Sequence, residues 1–180
     1  MTGIPSVEFA KTALQKLMDI IKSLPKNPFT NPSEAAISKF NIQLINSDYT
    51  IQYPVKRIDL HTLLTRTYGL FSTNESTIYQ GVNTKYYYNT AYAHLEPKGV
   101  CHCESICTGK GDGNGDGQCK RVTLSVFQTG KIIITGARKI EQIVEVFHYF
   151  NDILAKHSDE ILRIPSTPLT SSTHPTPSSA

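Results

Sequence analysis

The sequence has no tryptophan, only two methionines and only four cysteines, so its aromatic content rests on nine tyrosines and seven phenylalanines. No run of about 18 consecutive apolar residues occurs, which excludes a transmembrane helix by length. The N-terminus lacks a basic segment followed by an apolar core and a small-residue cleavage site, and the expectation is a soluble, non-secreted chain with no membrane partner. An excess of one charge is missing as well: 18 Lys+Arg face 15 Asp+Glu, for a formal net charge of +3. That balance neither demands nor excludes nucleic acid. No nucleophile–base pair stands out, so no enzymatic activity is expected. What is present is enough chain, 180 residues, for one ordinary domain with appendages. Its apolar fraction of 39% lies below the globular norm and predicts that part of it is unstructured.

Punctuating residues show which part. From Pro165 on the chain is almost only Ser, Thr and Pro, which bury too little apolar area to offset their ordering entropy; residues 164–180 are expected to be a disordered tail. Three prolines within Pro25–Ser38 mark a linker over residues 25–39. The run Gly109–Gln118, GKGDGNGDGQ, is too rich in glycine for a helix or an interior strand.

Two helices are legible between these breaks. Val7, Ala10, Leu14, Leu17, Ile21 and Leu24 follow Ser6 at helical spacing, and Ile140, Ile143, Phe147, Phe150 and Leu154 do the same from about Lys139 to Lys156. Both stripes read as core-packing faces. A shorter helix fits about Lys56 to Tyr68. Strands are expected at Phe40–Tyr53, Thr77–Val82 and Lys85–Tyr92, and Arg121–Thr135 reads as a hairpin turning at Thr129-Gly130. The order is β-α-β-β-β-β-α, an α+β fold with an antiparallel sheet carrying its helices on one face. In the hairpin, Val122, Leu124 and Val126 share the face turned to the helices. Thr123, Ser125 and Phe127 share the other, which ends in an exposed phenylalanine.

Laying Thr2 on Thr135 brings the two long helices into register without a gap. Thr2-Gly3 meets Thr135-Gly136, Val7 meets Ile140, Glu8 meets Glu141, and Asp19-Ile20-Ile21 meets Asp152-Ile153-Leu154. Two unrelated amphipathic helices would share the apolar positions but hardly the Thr-Gly and both acids. The expectation is an internal duplication, with residues 1–24 the trailing helix of a first repeat that has lost its strands.

The segment Phe127-Gln128-Thr129-Gly130-Lys131-Ile132-Ile133-Ile134-Thr135-Gly136-Ala137-Arg138 is similar to the F-x-S-G-K-x-x-x-T-G-A-K element of the TATA-box-binding protein family. Phe40-Asn41-Ile42-Gln43, with Tyr53-Pro54-Val55 after it, resembles the opening strand of that family's second repeat. The resemblance covers residues 40–163, broken by an insertion at 93–120, and its variant form is similar to divergent homologues of large DNA viruses. It implies a saddle whose concave sheet sits on the minor groove of promoter DNA, wedges aromatic side chains between base steps and bends the duplex. It implies a transcription initiation factor working with a transcription-factor-IIB-like protein and RNA polymerase, in a nucleus or a cytoplasmic viral factory. Because one repeat is half a saddle, a second repeat or a homodimer partner is expected to complete it.

Carried over by position, Phe127 is one wedge and Tyr79 its partner. Ile133 and Thr135 lie on the groove floor with Thr123 and Ser125, and Lys85, Lys131 and Arg138 fall where cations reach phosphates. The family's groove-reading asparagine falls on Leu44, with Asn46 two residues on and therefore on the same strand face. An alternative reading keeps the scaffold but not DNA binding: Phe127 then belongs to a protein interface, and the chain acts through its insertion and tail.

All four cysteines, Cys101, Cys103, Cys107 and Cys119, fall inside the insertion. Clustering in a chain expected to stay in a reducing compartment favours structural zinc over disulfides, against the plain alternative of free thiols in a flexible loop. Asp112, Asn114 and Asp116 imitate half of a calcium loop, but its twelfth position is Thr123, where a bidentate Glu is required.

Overall fold

A computed structural model describes residues 1–165 except 76 and 78. The bulk of the expected tail, residues 166–180, lies outside the described residues. The chain separates into two compact units, Met1–Ile42 and the remainder from Gln43.

The first unit holds α1, Val7–Ser23. Ser6 caps it, its hydroxyl accepting from the Phe9 amide at 3.1 Å, and Glu8 in the first turn and Lys22 in the last complement the helix dipole. Beyond its end, Asn27 donates to the Lys22 carbonyl at 2.8 Å, and the prolines that follow carry no regular element. The stripe predicted to pack into a core does not do so: α1 has no buried residue.

In the second unit β1 (Ile45–Thr50), α2 (Arg57–Arg66), β2 (Phe71–Thr73), β3 (Gly81–Tyr88), β4 (Lys120–Phe127), β5 (Lys131–Ala137), α3 (Ile140–Lys156) and the single turn α4 (Ser158–Ile161) follow one another. The strands form one antiparallel, open and curved sheet in the order β1-β5-β4-β3-β2. This is the expected α+β layout and strand count, with two corrections. Thr77–Val82 is not a strand; the second strand is the short Phe71–Thr73, and the third is one continuous run from Gly81 to Tyr88. The opening strand begins at Ile45 rather than Phe40, so Leu44 lies just outside it.

One face of the sheet is the core. Val82, Val122, Val126, Ile132 and Ile134 are almost fully buried beneath Leu60 and Leu64 of α2 and Val146, Phe150 and Ile153 of α3. The α3 stripe is rotated from the predicted one: Ile143, Val146, Phe150, Ile153 and Leu154 are buried, whereas Ile140 is 59% and Phe147 38% exposed. Buried Gln142 stitches β5 to α3, because its Oε1 accepts from the amides of Arg138 at 2.8 Å and Lys139 at 3.2 Å.

Helices α1 and α3 correspond residue for residue. Each has 17 residues, and Val7 and Ser23 stand to Ile140 and Lys156 as Thr2 stands to Thr135. Gly3 and Gly136, which the same alignment pairs, both have positive φ, 68° and 87°.

Truncating Phe150 to Ala, at 0% exposure, is expected to cost about 3–5 kcal/mol in urea unfolding, whereas Ile140→Ala should stay within about 0.5 kcal/mol. Equal costs would mean that α3 packs through the originally predicted stripe.

Candidate nucleic-acid interface and cysteine centre

Strand alternation turns every second residue of the sheet away from the helices, and the pairing registers align these residues in rows. One row runs Thr135, Thr123, Lys85, Phe71 across β5, β4, β3 and β2. The next runs Asp48, Ile133, Ser125, Asn83, Thr73 from β1 to β2. Asn46, Lys131 and Phe127 lie on the same face. Eight of the residues chosen by sequence, Asn46, Lys85, Thr123, Ser125, Phe127, Lys131, Ile133 and Thr135, are thereby brought onto one open surface.

Three others sit at its margins. Tyr79, in the β2–β3 loop, sets its ring 5.4 Å from that of Phe127, tilted by 58°. This contact leaves Phe127 half-buried rather than fully exposed, and Tyr79 39% exposed. Arg138 follows β5 and donates from Nη1 to the Asp112 carbonyl at 3.1 Å. Leu44 is 53% exposed immediately before β1.

The polar side chains of the face are largely partnered with one another. Ser125, predicted to be open, is buried at 3% exposure and donates to Asn83 Oδ1 at 2.7 Å. Thr135 donates to Asn46 Oδ1, and Lys85 to Thr123 Oγ1 at 3.0 Å. Lys131 forms an ion pair with Asp48 across β5 and β1. Burial, and then the nearby Arg121 guanidinium, lowers the Lys85 pKa from the usual lysine range. Burial, followed by Arg138 and Arg121, does the same to Lys120. These four cations are thus close neighbours.

Sequence reasoning missed Phe71, 65% exposed beside Lys85 on this face, because it placed the second strand too late. The signal was the alternation Phe71-Ser72-Thr73, in which only Ser72 is buried. It also passed over Asp48, Asn83, Tyr87 and Arg121, which the β1, β3 and β4 registers set on the same face.

The four cysteines converge at the opposite end of β4 from Phe127. Their Sγ atoms all lie within 4.8 Å of one another, with Cys107 and Cys119 buried. Cys101 Sγ is 3.7 Å from that of Cys107 and 3.9 Å from that of Cys119. The Gly111 amide donates to Cys107 Sγ at 3.2 Å and Asn89 Nδ2 to Cys103 Sγ at 3.4 Å. Burial pushes the Cys103 thiol up to about 11 and raises that of Cys119. At Cys107 burial also acts upward, but the Gly111 amide and the neighbouring thiols outweigh it and lower the pKa. Among the described residues this is the one group of three or more Cys, His, Asp or Glu side chains close enough to share a metal ion. Asp112 and Asp116 do not form a second: Asp112 Oδ1 accepts from the Asn114 amide at 3.0 Å and Asp116 Oδ2 from the Tyr92 hydroxyl at 3.5 Å.

Comparison with known proteins follows the same elements. The family described as "Transcription factor TFIID (or TATA-binding protein, TBP)" matches residues 117–157, which cover β4, β5 and α3. A "TATA-box-binding protein-like" protein of Acanthamoeba polyphaga mimivirus is 28% identical over 173 residues, 92% of this chain and 42% of the viral protein. The chain therefore spans about two-fifths of the length of the curated relative it matches. Taken with the open five-stranded sheet, these matches support a resemblance to a divergent TATA-box-binding-protein-like family.

Proposed function

We propose that the chain is a DNA-binding transcription initiation factor that lays its open sheet face on the minor groove of promoter DNA, inserts Tyr79 and Phe127 at a base step and bends the duplex. The observation that carries this reading is the aromatic pair. Two rings 5.4 Å apart stand at the end of a strand face that also carries Thr123, Thr135, Lys85 and Lys131. An apolar wedge costs some unstacking but lets a bent duplex bury more protein surface. The Tyr79 hydroxyl makes it the more polar of the two wedges.

In this reading Thr123, Ile133, Thr135 and Asn46 form the groove floor, and Lys85, Lys131 and Arg138 meet phosphates. A second five-stranded half, from another repeat or a second copy of the chain, completes the saddle, and the correspondence of α1 with α3 supports a duplicated origin. A transcription-factor-IIB-like protein and RNA polymerase are the partners, in a nucleus or a viral factory. The four clustered thiols hold a structural zinc ion, and no residue has a catalytic role.

One observation favours the alternative, a scaffold that does not touch DNA. Asp48 places a carboxylate on the open face, where it neutralises Lys131 and repels phosphate.

Two measurements separate the readings. Phe127→Ala should abolish the bend of an A·T-rich duplex and weaken its binding about tenfold or more, of order 1.4 kcal/mol; an unchanged bend rejects the wedge. Asp48→Asn releases Lys131, so duplex affinity at low salt should rise and the slope of log K against log salt should steepen by about one. A slope that does not move means Lys131 reaches no phosphate.

A further inference from the structure

The insertion is more than a loop added at the sheet edge: its glycine-rich arm is fastened to the residues of the open face farthest from Phe127. Tyr87, opposite Arg121 in the β3–β4 register, donates from its hydroxyl to the Gly109 carbonyl at 2.8 Å. The Arg121 amide donates to the Gly111 carbonyl at 2.7 Å, Asp112 bridges to Lys120, and Arg138 Nη1 reaches the Asp112 carbonyl at 3.1 Å. The positions of Lys120, Arg121 and Arg138 therefore depend on how the arm is held.

The cysteines hold it. With zinc–sulfur bonds near 2.3 Å, the edge of a tetrahedral site is about 3.8 Å. The Cys101–Cys107 and Cys101–Cys119 separations of 3.7 and 3.9 Å match that edge. Backbone and amide N–H groups from Gly111 and Asn89 point at sulfur, as a thiolate site needs from its surroundings. Packing allows no side chain where the arm crosses the cluster: a Cβ on Gly115 would lie 2.5 Å from Cys107 Cβ and 3.3 Å from Cys103 Sγ.

The cations beside the cluster are not used by it. The N–H donors to sulfur come from Gly111 and Asn89, not from Lys or Arg. Among the described residues the ion pairs are Lys131–Asp48 and His157–Glu160, so Lys85, Arg121 and Arg138 have no carboxylate partner within ion-pair distance, whereas the Asp112 carboxylate acts on Lys120. A group of cations held together without counter-charge is a site for an external anion.

We propose that a zinc ion bound by Cys101, Cys103, Cys107 and Cys119 locks the insertion against the sheet and so presents Arg121 and Arg138 as a metal-dependent phosphate clamp, at the opposite end of β4 from the Tyr79–Phe127 wedge. This deepens the DNA reading and rests on it. The zinc has a structural role only, and the clamp recognises the phosphates of the duplex backbone rather than its bases.

The test uses the full chain and one A·T-rich duplex. Metal analysis should give one zinc per chain, and cobalt put in its place should show the charge-transfer absorption of a thiolate site; Cys107→Ser should lose both. Each phosphate contact contributes about 0.9 to the slope of log K against log salt. Removing zinc with a chelator should therefore flatten the slope by about two. The double variant Arg121→Gln/Arg138→Gln should keep zinc and flatten the slope by about two, while still bending the duplex through Phe127. Absence of stoichiometric metal, or equal slopes with and without it, overturns the clamp. If the zinc-loaded chain binds and bends DNA but the slopes are equal, only the clamp fails. If it binds no duplex, the DNA reading fails and the clamp with it.

Discussion

Everything presented by the open face depends on the register of β4 against β5. Leu124 pairs with Ile134 and Val126 with Ile132, and all four are buried beneath the helices. A slip of one residue would exchange the faces, turning Val122, Leu124 and Val126 outward and Thr123, Ser125 and Phe127 into the core. The turn at Gly130 prevents this. Its φ of 87° suits glycine, and a Cβ there would lie 2.8 Å from the Ile51 carbonyl and 3.0 Å from that of Tyr53. Those carbonyls belong to the segment leaving β1, so the turn is clasped from outside as well as closed from within; the Ile51 amide donates back to the Gly130 carbonyl at 3.0 Å. The same turn leaves Phe127 at the strand end, within reach of Tyr79.

What could be read in the sequence was what strand alternation and turn chemistry dictate locally. The hairpin, its two faces and the ends of α3 follow from such rules, and so do Thr123, Ser125, Ile133 and Thr135 of the central rows. What could not be read came from distant parts of the chain. Ser125 is buried because Asn83, on another strand, accepts its hydroxyl. Phe127 is half-covered by a loop residue. Phe71 belongs to a three-residue strand, whose single alternation is a weak signal, that pairs with β3. The α3 stripe turned from Ile140 and Phe147 to Val146 and Ile153 because helical spacing fixes a face only to within a neighbouring position, and the sheet beneath selects among them. The cysteines were visible, but their irregular spacing said nothing of convergence; that required the folded glycine arm.

The charge distribution refines the small net charge of +3. Near the Tyr79–Phe127 pair, Lys131 is neutralised by Asp48. Farther along the face, Lys85, Arg121 and Arg138 have no carboxylate within ion-pair distance among the described residues. In the proposed complex such a face would insert the Tyr79–Phe127 pair at one end and meet phosphates mainly at the other. For the proposed DNA complex, aromatic insertion and salt-dependent affinity would then be carried by separate residues and would respond to different substitutions.

Energetics argue that neither end suffices alone. Bending a short duplex by tens of degrees costs of order 1–6 kcal/mol, which contacts made only in the bent form must offset. In the proposed complex one ring pair and a handful of phosphate contacts would offset part of that cost, and a second half of the saddle would double the surface sharing it. Helix α1 points the same way. An amphipathic helix whose residues are all unburied gains little from its apolar stripe, and short helices are marginal in water without such packing. Phe150 and Ile153 show what the corresponding stripe of α3 achieves once a sheet lies under it. The matching stripe of α1 has the same requirement, and in the proposed saddle the sheet of the other repeat meets it.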